Sequence, residues 1–285
     1  MRELTYHLGS TTICGLAIGD ERKPVVLCLH GWLDNAASFI PLFEQIKATT
    51  SLLEQYQFIA IDWPGHGLSS HRSVDAHYHF VDWCWDLLQL LESQHWQQVS
   101  LIGHSMGGMV ASLFTSAFND RVNKLVLIES IGLITLTESP SELLRQGLQS
   151  RLKSGQKQLR VHTSVESAVR ARMNVSDLPN HCAQLIVERG LQSVKQGYCW
   201  RSDPRLKELS PQRYPLKQAV QVMTNIHRPV HLIFGDNGFD MVQAGIKLFS
   251  PLISDFQQTR VTGGHHPQME NPVACTDIIA RFLLT

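Results

Sequence analysis

Net charge is almost absent from this 285-residue sequence: 25 Lys and Arg stand against 25 Asp and Glu. That balance argues against a general nucleic-acid binder, which shows a basic excess. No apolar run reaches the ~18 residues that mark a membrane span, so none is expected. The opening stretch MRELTYHLGSTTICGLAIG lacks the unbroken apolar core of a signal peptide. The six Cys, at 14, 28, 84, 182, 199 and 275, form no C-x-x-C pair. They read as reduced thiols, and a cytoplasmic protein is expected. Neither G-x-G-x-x-G nor a Walker A pattern occurs, so no nucleotide cofactor is inferred.

What is present is an ordinary globular composition, 43% hydrophobic, long enough to bury a large core. Short apolar runs read as buried strands: PVVLCLH (24–30), FIAID (58–62), VSLIG (99–103) and KLVLIE (124–129). Segments of helical spacing lie between them. Over 78–93, Val81, Cys84, Trp85, Leu88 and Leu91 fall at steps of three and four, which predicts one buried helix face. Such alternation predicts an α/β fold, a mostly parallel sheet with helices on both faces. From 131 to 226 no strong strand is visible, and helix starts replace them. Ser139-Pro140-Ser141-Glu142 and Thr163-Ser164-Val165-Glu166 are capping boxes; Asn180 and Pro215 mark two further starts. Strand patterns return at RPVHLIFG (228–235) and FQQTRVTGG (256–264), followed by a closing helix over 272–284. The expected organisation is a core of residues 1–130 and 227–285 interrupted by a helical cap over 131–226.

One corner of this pattern carries chemistry. The strand VSLIG runs into His104-Ser105-Met106-Gly107 and then a helical pattern, which is G-x-S-x-G between a strand and a helix. The flanking Gly allow a sharp turn that lifts the Ser105 hydroxyl to the carboxyl edge of the sheet. The helix that follows aims its N-terminus at the same place, where negative charge is favoured. A nucleophilic Ser needs two donors for the oxyanion. The N–H of Met106 is one candidate. The loop HGWLDN (30–35) after the strand VVLCLH offers a second at Trp32, although a Trp there could equally be a core aromatic.

LHGWLDN, IDWPGHGLSS, GHSMGG and GGHHPQMENP together resemble the α/β-hydrolase superfamily. The resemblance runs from about residue 24 to the C-terminus and implies the α/β-hydrolase fold, with the helical insertion at the usual cap position. GWLDN, LVLIES, WRSDPRL and GGHHPQMENP further resemble the serine hydrolase-like proteins. The resemblance implies a base in GGHHPQMENP: His265, five residues ahead of Glu270, matches the family position, with His266 beside it. The acid departs from the common pattern. The family's usual position falls on Gly238, which has no carboxylate; Asp236 and Asp240 flank it. A third candidate is Glu129, which ends the apolar strand KLVLIE, a costly place for an unpartnered charge. Some α/β hydrolases carry their acid after this strand. Asp62, in IDWPGHGLSS, reads as a residue that holds its loop.

A Ser nucleophile excludes the Asp-based dehalogenase and epoxide-hydrolase chemistries of the fold. The expected activity is hydrolysis of a small to medium carboxylic ester or thioester through an acyl-enzyme, with Ser105, His265 and Glu129 as the triad. That chemistry requires no metal. A C–C bond hydrolase of the same fold is one alternative. A ligand-binding module without turnover is the other, favoured only by the missing acid at 238.

Overall fold

The computed structural model describes residues 1–49, 51–154 and 160–285. Its first two strands, β1 (Arg2–Leu8) and β2 (Thr11–Ile18), form an antiparallel hairpin that the run-based reading does not contain. For β1 the reason is its pattern. Along β1, Leu4, Tyr6 and Leu8 alternate with Glu3, Thr5 and His7, so no apolar run exists even though one face packs on the core.

β3 (Val25–Leu29), β4 (Gln57–Ile61), β5 (Val99–His104) and β6 (Val122–Ile128) follow. Two short strands, β7 (Leu191–Val194) and β8 (Gly197–Trp200), form a separate two-stranded sheet, with β8 also bridged to His162 through Tyr198. β9 (Val230–Gly235) and β10 (Phe256–Val261) complete an eight-stranded sheet of order β1-β2-β4-β3-β5-β6-β9-β10. From β4 to β10 all neighbours are parallel; β2 is antiparallel to both β1 and β4. Every residue of β3, β4, β5 and β9 is buried, as strands covered on both faces must be. Along β3, Leu27 and Leu29 join one core layer with Leu101, Val110 and Phe114. Val26 and Cys28 join the other with Phe39, Phe43 and Ile279. The period of two thus assigns alternate side chains to two cores.

β3 has β4 on one side and β5 on the other. The chain leaves β3 in one direction and returns on the opposite side. The loops at the carboxyl ends of β3 and β5 therefore meet at a switch in strand order, the place where open α/β sheets gather ligands.

Between β6 and β9 lie the helices Pro140–Ser154, Val165–Met173, Asn180–Gly190 and Leu216–Thr224, with the β7–β8 hairpin among them. The hairpin is a departure from the strand-free expectation: each strand has four residues, too few to register as a run. Two helix starts also shift. Ser164, not Thr163, caps Val165–Met173, and Asn180 is the first helical residue after Pro179.

The inward face of the helix Phe80–Ser93 is rotated from the one its apolar spacing predicts: Leu91 is buried and Cys84 and Leu88 pack against the core as expected, but the face is shifted. Trp83, Leu87, Leu90 and Leu91 are buried, whereas Val81 and Trp85 are half exposed. Asp86 sits on the buried face because Arg72 meets its carboxylate at 2.6 Å, and a buried paired charge is invisible to a hydropathy pattern. Among the described residues, no helix is long and apolar enough to cross a membrane.

Candidate active site

Ser105 joins β5 to the helix Met106–Ala117 with φ of 50° and ψ of −120°. A side chain rarely takes this backbone, at a cost of about 1–3 kcal/mol. The corner is held from both sides. The Ser105 N–H donates to the Ile128 carbonyl at the end of β6 at 3.0 Å. A Cβ at Gly103 would come within 2.5 Å of the Gly108 Cα, and one at Gly107 would overlap the Leu29 carbonyl of β3. Glycine at 103 and 107 is thus what lets strand and helix approach closely enough to push Ser105 outward.

The His265 Nε2 lies 3.0 Å from the Ser105 Oγ. On the far side of the ring, the Nδ1 lies 3.4 Å from the Glu129 Oε2. Glu129 follows β6 directly, with φ of 48°, and is only 2% exposed. Two backbone donors satisfy its carboxylate: Gly235 N–H reaches Oε1 at 2.7 Å and Phe239 N–H reaches Oε2 at 3.3 Å. A Cβ on Gly238 would fall on this carboxylate. The two positions are complementary: the carboxylate arriving from β6 fills the space a side chain at 238 would need.

Asp236 and Asp240 stand elsewhere. Asp236 is exposed and accepts from the Gly263 N–H at 3.0 Å. Asp240 is exposed in the first turn of the helix Asp240–Phe249. His266 is turned away from Ser105, with its Nε2 3.2 Å from the Asp34 Oδ2.

Phe239 has no counterpart in the sequence reading. Its ring lies flat on the His265 imidazole, centroids 3.9 Å apart and planes at 15°, while the residue stays 48% exposed. No spacing or motif marks it; its closeness to the vacant acid position at 238 is the only signal available. Burial holds the His265 pKa below the ordinary imidazole value, against the Glu129 hydrogen bond, which raises it. His265 is therefore biased toward its neutral form.

Behind His265 lies a second buried cluster. His104 Nε2–H donates to the His265 carbonyl at 2.8 Å, and its Nδ1 lies 3.5 Å from Asp34. Asp34 also receives Arg172 from the inserted segment at 2.7 Å. Burial pushes Asp34 upward, but His266, His104 and Arg172 outweigh it and keep it well below the carboxylate range. Asp34, His104 and His266 could present ligand atoms to a metal. Arg172 already gives that carboxylate its positive partner, which favours a hydrogen-bonded ion cluster that props the His265 loop.

Trp32 is on the loop leaving β3, next to β5. It is not a core aromatic: it is 52% exposed, with its indole N–H on the Leu206 carbonyl at 2.9 Å. Among the described residues, the backbone N–H groups of Trp32 and Met106 have no acceptor in the surrounding loops and caps. Asp62 ties its loop as expected. It accepts from Ala36 N–H at 2.7 Å and Leu68 N–H at 2.9 Å, and pairs with Arg189 at 2.9 Å.

A model of the alpha/beta hydrolase fold family matches residues 24–272. The serine hydrolase-like protein of Danio rerio is 29% identical over 285 residues, covering 94% of this chain and 84% of that protein. Serine hydrolase-like protein 2 of Homo sapiens is 29% identical over 292 residues, covering 95% and 90%. The crystal structure of a hypothetical protein from Pseudomonas aeruginosa PAO1 superposes with a TM-score of 0.90 at 31% identity, over 100% of both chains.

Proposed function

We propose that this chain, which belongs to the alpha/beta hydrolase fold family, cleaves a small to medium carboxylic ester or thioester through an acyl-enzyme on Ser105. The observation that carries this reading is the unbroken relay from Ser105 Oγ to His265 at 3.0 Å and on to buried Glu129 at 3.4 Å. Ser105 Oγ attacks the carbonyl carbon as His265 Nε2 takes its proton. The N–H groups of Met106 and Trp32 receive the oxyanion, and the helix N-terminus favours the same charge. The carbon–oxygen or carbon–sulfur bond then breaks, and His265 returns the proton to the leaving group. Water, deprotonated by the same imidazole, releases the acid and restores Ser105. Glu129 fixes the tautomer, with the proton on Nδ1, and stabilises the imidazolium that forms.

The relay also bears on the alternative of a binding module. A carboxylate buried beside His265, with two backbone donors of its own, supports turnover, and with it the need for an acid at 238 falls away. The segment 131–226 serves in this reading as a cap that selects substrates; Arg172 on Asp34 and Arg189 on Asp62 tie it to the loops beside Ser105. The six free thiols support a cytoplasmic location.

Turnover of p-nitrophenyl acetate by wild type and Ser105→Ala tests the proposal. The variant is expected to fall to the uncatalysed background with an unchanged circular dichroism spectrum. Wild-type-like turnover in the variant refutes Ser105 as nucleophile.

A further inference from the structure

One cavity lies outside the relay. It has a volume of about 440 Å³ and is walled by Val81, Met109, Leu133, Ile134, Leu143 and Tyr214, among others. Four parts of the chain build it: the start of the helix Phe80–Ser93, the stretch 133–143 after β6, the stretch 210–218, and Met109. The second and third are stitched together, with Leu136 N–H on the Tyr214 carbonyl at 2.9 Å. Val81 and Ile134 are each 49% exposed, so the cavity keeps apolar side chains without an apolar partner. Arg213 is on its wall, and no Asp or Glu is among the described residues that line it. A cationic guest therefore finds no counter-charge there.

Neither Ser105 nor His265 lines the cavity, but Met109 does. Met109 is one helical turn past Ser105, with its N–H on the Ser105 carbonyl at 3.2 Å. Ser105 is not itself helical, so this backbone hydrogen bond is what sets the spacing: Met109 stands one turn, about 5–6 Å, beyond the nucleophile. A chain attached at Ser105 must cross about that distance to reach the cavity wall at Met109.

Resting on the serine hydrolase reading, we infer that this cavity takes the apolar tail of the substrate, which makes the preferred substrate a medium-chain, unbranched acyl ester or thioester. Acetyl and butyryl groups stop short of the cavity. An octanoyl group enters it, and each methylene that does so gains roughly fourfold in binding.

The test is kcat/KM for p-nitrophenyl acetate, butyrate and octanoate, together with calorimetric binding of octanoate to Ser105→Ala. Val81→Trp and Ile134→Trp fill the cavity from two half-exposed positions, where a larger ring is tolerated by the fold. The expected result is an octanoate-to-acetate ratio well above tenfold in wild type that drops at least tenfold in both variants. Octanoate binding is expected to weaken in parallel when either substitution is added to Ser105→Ala. A flat chain-length series with no octanoate binding overturns the cavity assignment while Ser105-dependent acetate turnover still upholds the hydrolase. Octanoate binding that both substitutions weaken, in a protein that turns over no ester, upholds the cavity and sinks the hydrolase reading instead.

Discussion

Exchanging Glu129 for Gln keeps the shape of the side chain and replaces one carboxylate oxygen by an NH2 group. Both oxygens of Glu129 face donors: Gly235 N–H at 2.7 Å on one, Phe239 N–H at 3.3 Å and the His265 Nδ1 at 3.4 Å on the other. An amide in either orientation therefore sets donor against donor in a site that is 2% exposed. If the NH2 faces Gly235, a buried N–H loses its acceptor. If it faces His265, it donates to Nδ1 and moves the ring proton to Nε2, where it blocks proton transfer from Ser105. A buried polar group left unpaired costs about 1–3 kcal/mol, which lowers the melting temperature of a chain this long by several degrees. The wrong tautomer lowers kcat by roughly 10²–10⁴. Steady-state ester hydrolysis and a thermal melt read both effects. Activity within a few-fold of wild type would refute Glu129 as the orienting acid, as would a larger loss in Asp236→Asn.

Three further outcomes follow from the same geometry. With His265 as the proposed base, activity requires its neutral form, so kcat/KM should hold at high pH and fall on acidification, with its midpoint below the ordinary 6.5 because burial lowers the pKa. Phe239→Ala opens one face of the ring to water and should move that midpoint up toward 6.5; an unmoved pH profile would show that the stacked ring does not set it. The acid can also be relocated: Gly238→Asp alone collides with Glu129 and should lower activity, whereas Gly238→Asp with Glu129→Gly should recover part of it. Glycine suits the positive φ at 129. A double variant no better than Glu129→Gly alone contradicts the complementarity of the two positions.

The sheet was legible where burial is two-sided, because β3 is a continuous apolar run and β5, β6 and β9 are broken by only one or two polar residues. β1 was not, since alternate side chains along it face outward and dilute the run. The face of Phe80–Ser93 was legible at Cys84, Leu88 and Leu91 but not at Asp86, which is buried because it pairs with Arg72, a pairing across 14 residues that no local pattern contains. Ser105 announces itself through local sequence, as a strained corner demands small neighbours. Glu129 was visible as an anomaly, a charge closing an apolar strand, but the donors that hold it come from Gly235 and Phe239, more than a hundred residues away. Phe239 and the Asp34–His104–His266 cluster owe their places entirely to tertiary contact. A phenylalanine or a histidine in a loop carries no mark of the ring it will lie against.

In the proposed mechanism His265 and Glu129 make Ser105 a nucleophile, a property that covalent trapping reads on the residue itself. A fluorophosphonate forms a phosphorus–oxygen bond with an activated serine as fluoride leaves, and intact mass followed by peptide mapping locates the adduct. One adduct is expected, on Ser105, formed quickly in wild type, at least a hundredfold more slowly in Glu129→Gln, and not at all in Ser105→Ala. An adduct on another residue, or equal labelling of wild type and Ser105→Ala, would contradict it.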